Sequence, residues 1–236
     1  MQQLKQNAHE AHRANPFRRA WNRLTDWGES PVIKQIVRMH LKNDLNKALR
    51  MGKTAVPALV GCLKDKDGDV RDRAAKVLGH IALAHPEYDL GGAIPALAEC
   101  LGDVWAQYYA VVALTRMGQR SIPALLDVLG KGNEMERQKA ALALYNMAKD
   151  EKVWLSAIPG LVAALRDKSN DVKESAAFAL IEIAEKNPEA VANPIVEFVN
   201  GKEGDGLVEI NESNEQTIVW MNRVLLECGK AMKNAA

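Results

Sequence analysis

A proline recurs in this chain with the same neighbours around it. Four segments read Ala55-Val56-Pro57-Ala58-Leu59, Ala93-Ile94-Pro95-Ala96-Leu97, Ser121-Ile122-Pro123-Ala124-Leu125 and Ala157-Ile158-Pro159-Gly160-Leu161. A fainter fifth is Ala192-Asn193-Pro194-Ile195-Val196. The intervals between the prolines are 38, 28, 36 and 35 residues. A period in that range means that one supersecondary unit is being stacked, so the chain grows as a row of copies.

Each of these prolines, Pro194 included, is expected to open an apolar run at helical spacing, as in Pro57 with Leu59, Val60 and Leu63, or Pro123 with Leu125, Leu126 and Leu129. Proline suits a first helical turn, where the amide it lacks would have no partner. A polar hinge follows at 64–69, 130–135 and 166–171, and then a second apolar helix. Asp69 and Asp171 fall where an N-cap is expected, accepting bonds from first-turn amides at the positive end of the helix dipole. On the second helices a small pair recurs as Ala74-Ala75, Ala110-Val111, Ala140-Ala141 and Ala176-Ala177. A leucine follows four residues after the first member, as Leu78, Leu114, Leu144 and Leu180.

Pro-x-Leu on one helix, then Asp69-Val70-Arg71 or Asp171-Val172-Lys173 and Ala-Ala-x-x-Leu on the next, resembles the HEAT repeat. It is most similar to the short bacterial and archaeal form that also occurs in phycobilisome lyases. The resemblance runs over about 31–200 and weakens at Ala106-Gln107 and Glu136-Arg137. It implies an all-α fold: a right-handed, armadillo-like α-solenoid of five to six helix pairs. First helices would lie on the convex side and second helices would line the concave side. The copies fall at 31–53 (degenerate), 54–91, 92–119, 120–155 and 156–191, with a last repeat over 192–236. Pro31, Val32, Ile33, Ile36 and Val37 mimic a first helix of the degenerate copy.

The ends differ from the body. Residues 1–30 form a basic tail with an amphipathic stripe of Phe17, Ala20, Trp21, Leu24 and Trp27, which reads as a cap over the open end of the stack. At the other end an acidic, glycine-containing loop at 201–216 precedes a final helix bearing Ile218, Met221, Leu225 and Cys228. Net charge is +1 overall, but residues 1–53 hold 11 Lys/Arg against 4 Asp/Glu, so a basic head sits on an acidic body. Hydrophobic residues make up 47% of the chain, enough for a real core, and aromatics only 5%, as in helices packed by Leu, Ala, Val and Ile.

Three separated cysteines, Cys62, Cys100 and Cys228, lie in apolar helical runs and read as buried thiols of a reducing, cytoplasmic setting. No apolar stretch approaches the roughly 18 residues of a membrane span. Gly-rich phosphate loops, CxxC and HExxH are missing. The HEAT-type enzyme deoxyhypusine hydroxylase holds iron with several His-Glu pairs, whereas this chain has one, His9-Glu10. Asp65-Lys66-Asp67-Gly68-Asp69 looks like the start of a calcium loop, but the twelfth position is Lys76 where such a loop needs a glutamate. We therefore expect no catalytic residues, no cofactor and no metal.

The repeat register locates a candidate ligand surface. Aligning Ala74, Ala110, Ala140 and Ala176, and the last helix through Leu225, places Tyr109, Val112, Leu142, Tyr145, Phe178 and Trp220 on an oblique stripe of the concave side. Arg73, Lys76, Arg116 and Lys139 form its basic border. An apolar stripe with charged edges suits a helix or an extended peptide. The competing expectation is that these side chains pack away between successive second helices. The sequence thus predicts a non-enzymatic scaffold for a protein or peptide. A second reading is nucleic-acid association through Arg18, Arg19 and Arg23, which are interleaved with Phe17 and Trp21. A phycobilin-lyase-like role comes last.

Overall fold

The computed structural model describes residues 31–149, 155–199 and 215–235, and every regular element among them is helical. The first helices of successive pairs are α3 (Val56–Cys62), α5 (Ile94–Glu99), α7 (Ile122–Lys131), α9 (Ile158–Ala164) and α11 (Pro188–Val199). Their partners are α4 (Gly68–Ala84), α6 (Gln107–Met117), α8 (Glu134–Met147), α10 (Asn170–Ala184) and α12 (Glu215–Ala235). Before them run α1 (Pro31–Asn43) and α2 (Leu45–Arg50). Second helices pack on second helices in chain order, α4 on α6, α6 on α8, α8 on α10 and α10 on α12. First helices do the same from α5 through α11. The molecule is an α-solenoid: two helical layers with one long seam of core between them.

The repeated residues build that seam. Pro57, Pro95, Pro123 and Pro159 each sit in the first two positions of their helix. Ala74, Ala110, Ala140 and Ala176 are fully buried, and Leu78, Leu114, Leu144 and Leu180 are sealed beside them. Burying each leucine contributes about 1.5–3 kcal/mol. Small side chains set the spacing, and helix backbones come close at Gly79, where an added Cβ would stand 3.2 Å from the Ala113 Cα. The 28-residue interval has a local cause. α6 ends at Gly118, whose φ of 60° is the left-handed region open to glycine, and the chain turns at once into α7.

Two sequence expectations are corrected. Pro194 does not open a helix: α11 starts at Pro188 and carries Pro194 inside it. The Asn187 side chain accepts the Ala190 amide at 3.3 Å, so the start signal is Asn187-Pro188. The caps also shift. Asp67, not Asp69, caps α4 by accepting the Asp69 amide, and α10 starts after Ser169, which makes no capping bond through its side chain. Asp69 and Asp171 fall inside the first turn, where the helix dipole still favours a carboxylate.

The hinge aspartates have a second task that local reading does not show. Arg38 reaches Asp65 at 2.8 Å, Arg71 reaches Asp103, and Arg137 grips Asp167 at 2.7 and 2.9 Å. Each pair ties one copy to the hinge of the next. Arg71 also donates to the Asp65 carbonyl and Arg137 to the Gly132 carbonyl, so one guanidinium staples two hinges. Between the copies at 92–119 and 120–155 the rung is missing, and both partners are missing together: Gln107 stands in the arginine register and Lys131 in the aspartate register. There α7 runs on through Lys131, and an Asn133–Glu136 capping box starts α8 instead.

These rungs make the fold acid-sensitive. Burial works to raise the Asp103 and Asp167 carboxyls, but the arginines and the amides of Trp105, Ala106 and Ser169 outweigh it, holding both below the ordinary value. Lys42 does the same for Asp67. A lowered folded-state value means stability that is complete above the ordinary carboxylate range and lost as pH falls through the folded value. Thermal unfolding followed by circular dichroism should therefore show a flat melting temperature near neutrality and a steep fall below about pH 4. A melting temperature indifferent to pH in that range would contradict the ladder.

Candidate functional site

The open face of the second-helix layer carries the candidate stripe. Tyr109, Val112, Leu142, Tyr145, Phe178 and Trp220 are all half-buried, neither sealed between helices nor fully open. Their rings make a row across three helices. Tyr145 on α8 lies 6.2 Å from Phe178 on α10, which lies 5.5 Å edge-on from Trp220 on α12. Offset and edge-on rings at this spacing attract one another and fix each other's orientation. Arg223 covers the end of the row, 5.5 Å from Phe178 and 5.3 Å from Trp220. Glu182, half-buried, and Glu174, exposed, stand one turn on either side of Phe178 on α10.

The border residues divide by what they touch. Arg73 is a fastener, since it donates to the Leu41 and Lys42 carbonyls at the end of α1. Lys76 leans over the Tyr109 ring at 5.0 Å. Lys76, Arg116 and Lys139 are half-buried, and among the described residues none has a carboxylate within ion-pair distance. His80, one turn along α4 from Lys76, joins them. Burial first, then the charges of Arg116 and Lys76, hold its ring below the ordinary histidine value. Arg116 also lines a cleft of about 230 Å³ with His85, Tyr88, Met117 and Arg120. Arg18, Arg19 and Arg23 lie outside the described residues.

Sequence reasoning missed the lip of this face. Val104, Trp105 and Tyr108 are 72%, 63% and 66% exposed at the hinge that opens α6. The Trp105 ring lies against Gly68, where any side chain would strike it, and Tyr108 meets Tyr109 edge-on at 5.0 Å. The signal was present, a tryptophan in the hinge where other copies carry polar residues, but only the packing shows that it points outward.

Chemistry beyond binding finds no assembly among the described residues. No group of three His, Cys, Asp or Glu could hold a metal ion, and no helix is long and apolar enough to cross a membrane. Cys62, Cys100 and Cys228 are buried, and burial pushes Cys100 up to about 11, far from a reactive thiolate. The Asp65–Asp69 segment is a capped hinge: Asp65 accepts the Asp67 amide, and Arg38 and Lys42 neutralise its carboxylates.

Models of HEAT repeats match residues 55–85 and 94–181. The chain belongs to the HEAT-repeat family. No curated protein matches this HEAT-repeat chain in sequence. Among solved structures, an engineered protein is 22% identical, with 88% of this chain and 98% of the other covered and a TM-score of 0.47. A designed armadillo repeat protein in complex with the peptide (KR)4 is 17% identical, with 86% and 98% covered and a TM-score of 0.47. Human deoxyhypusine hydroxylase in complex with glycerol is 19% identical, with 92% of each chain covered and a TM-score of 0.39. The HEAT architecture fits a role in protein interaction.

Proposed function

We propose that this HEAT-repeat protein is a non-enzymatic scaffold that binds a protein or peptide segment along the concave face of its second helices. The observation that carries the reading is the half-exposed row Tyr145, Phe178 and Trp220, continued by Leu142, Val112 and Tyr109 toward the lip at Tyr108. A surface of this kind leaves apolar area in water that a partner would cover, and aromatic side chains in a shallow row are the usual anchors of such contacts. The α-solenoid holds them on rigid helices, so little ordering cost remains for the scaffold on binding.

Wild type and the Leu142→Asp, Phe178→Asp double variant should differ in what they retain from a cell extract of the source organism. Truncating an interface anchor typically costs about 2 kcal/mol or more, so two charged replacements should weaken a groove partner by at least about a hundredfold. Circular dichroism should show the same helicity for both, because neither side chain belongs to the sealed core. Identical sets of retained proteins would refute the concave-face assignment.

A further inference from the structure

The two halves of the face differ in charge, and this fixes the chemistry of what they would hold. At the end built by the packed helices α4 and α6 lie Lys76, His80 and Arg116, and among the described residues no carboxylate is within ion-pair distance of any of them. They share one field, since the two cations are felt at the His80 ring. Asp72 lies one turn before Lys76 but makes no ion pair with it, and burial raises its carboxyl above the ordinary value against the pull of the Lys76 charge. Cation density continues round the cleft shared by Arg116 and Arg120. At the other end, built by α8, α10 and α12, the surface is the aromatic row, where Glu174 and Glu182 are matched in number by Lys139 and Arg223 and leave no net charge.

Resting on the concave-face reading above, we propose that the partner is a peptide segment with acidic residues at one end and apolar residues at the other. Its carboxylates sit over Lys76, His80 and Arg116, and its apolar side chains sit over Tyr145, Phe178 and Trp220. Charge complementarity selects this occupant. Two half-buried cations, Lys76 and Arg116, stand on neighbouring helices and repel one another until an anion arrives, and a carboxylate accepts from both and from the His80 ring N–H. A uniform polyanion such as a nucleic acid would satisfy the first end but find no net positive charge at the second, where Glu174 and Glu182 offset Lys139 and Arg223. A peptide can change character along its length within the span of the groove.

The test is selection of random peptides displayed on phage against the full chain, followed by fluorescence anisotropy with the selected peptides synthesised. Sequences enriched in Asp and Glu toward one end, with Leu, Phe or Trp toward the other, are the expected result. Lys76→Glu with Arg116→Glu should weaken those peptides by at least about tenfold through like-charge contact, with circular dichroism unchanged. Peptides that depend on Leu142 and Phe178 but show no acidic enrichment would overturn this proposal and leave the groove reading standing. Selected peptides that bind both double variants as well as wild type would remove the groove reading and the proposal with it. Oligo-dT binding that the charge-reversed variant loses, in place of acidic peptides, would overturn the proposal in favour of a nucleic acid.

Discussion

Gly79→Leu is expected to destabilise the protein by about 3 kcal/mol or more and to split its unfolding into two steps. Gly79 is buried at the crossing of α4 and α6. The nearest atoms to a Cβ there are the Ala113 Cα at 3.2 Å and Cβ at 3.4 Å. Those are backbone and stub atoms, which cannot rotate aside. A leucine adds three further carbons to a contact already tighter than ordinary, and overpacking of this kind costs about 1–3 kcal/mol or more. In a solenoid the stability of the array is the sum of each copy and its interfaces, so weakening one seam uncouples the copies on either side. Gly79→Ala is the control. It gains up to about 1 kcal/mol of helix propensity against the same close contact, so it should lie near zero. Urea unfolding by circular dichroism reads both. A Gly79→Leu protein that unfolds in one step at the wild-type midpoint would mean that the seam does not depend on this close approach.

The same seam explains what the sequence made legible. Pro57, Pro95, Pro123 and Pro159 sit where a missing amide costs nothing, and the small pairs sit where helices must touch, so local rules and the fold agree at those positions. Pro194 was misread because the motif around it matched while the start signal lay earlier, at Asn187-Pro188. The Arg–Asp rungs were hidden for a different reason. Each joins residues about 30 positions apart, and neither partner is unusual in its own copy; only the offset from the proline, eight residues to Asp65, Asp103 and Asp167, gives them away. On the candidate face the register placed six side chains on one side of the second helices. It could not say how far each would be covered, because that depends on the neighbouring helix. Trp105 shows the limit most clearly: its exposure is set by Gly68 in the preceding copy.

Arg137→Ala is expected to cost about 2 kcal/mol, more than a surface ion pair and less than a sealed one. Exposed pairs contribute about 0–1 kcal/mol, whereas removing one partner of a fully buried pair costs about 3–5 kcal/mol. Arg137 and Asp167 lie between these limits, with side chains 17% and 11% exposed. Arg137 makes two bonds to Asp167 and a third to the Gly132 carbonyl. Without it Asp167 keeps the Ser169 amide at 2.8 Å and the nearby charge of Lys173, which softens the loss. Arg137→Lys keeps the charge but not the planar fork, so it should recover about half of the stability. Asp167→Ala should cost a similar amount to Arg137→Ala. The two together should cost less than their sum by about 1 kcal/mol, the signature of a direct contact. pH separates this account from its rival. Protonating Asp167 removes the charge that Arg137 serves, so the gap between wild type and Arg137→Ala should narrow below about pH 4. A gap that stays constant through that range would assign the cost to the packing of the arginine stem across the hinge rather than to its charge.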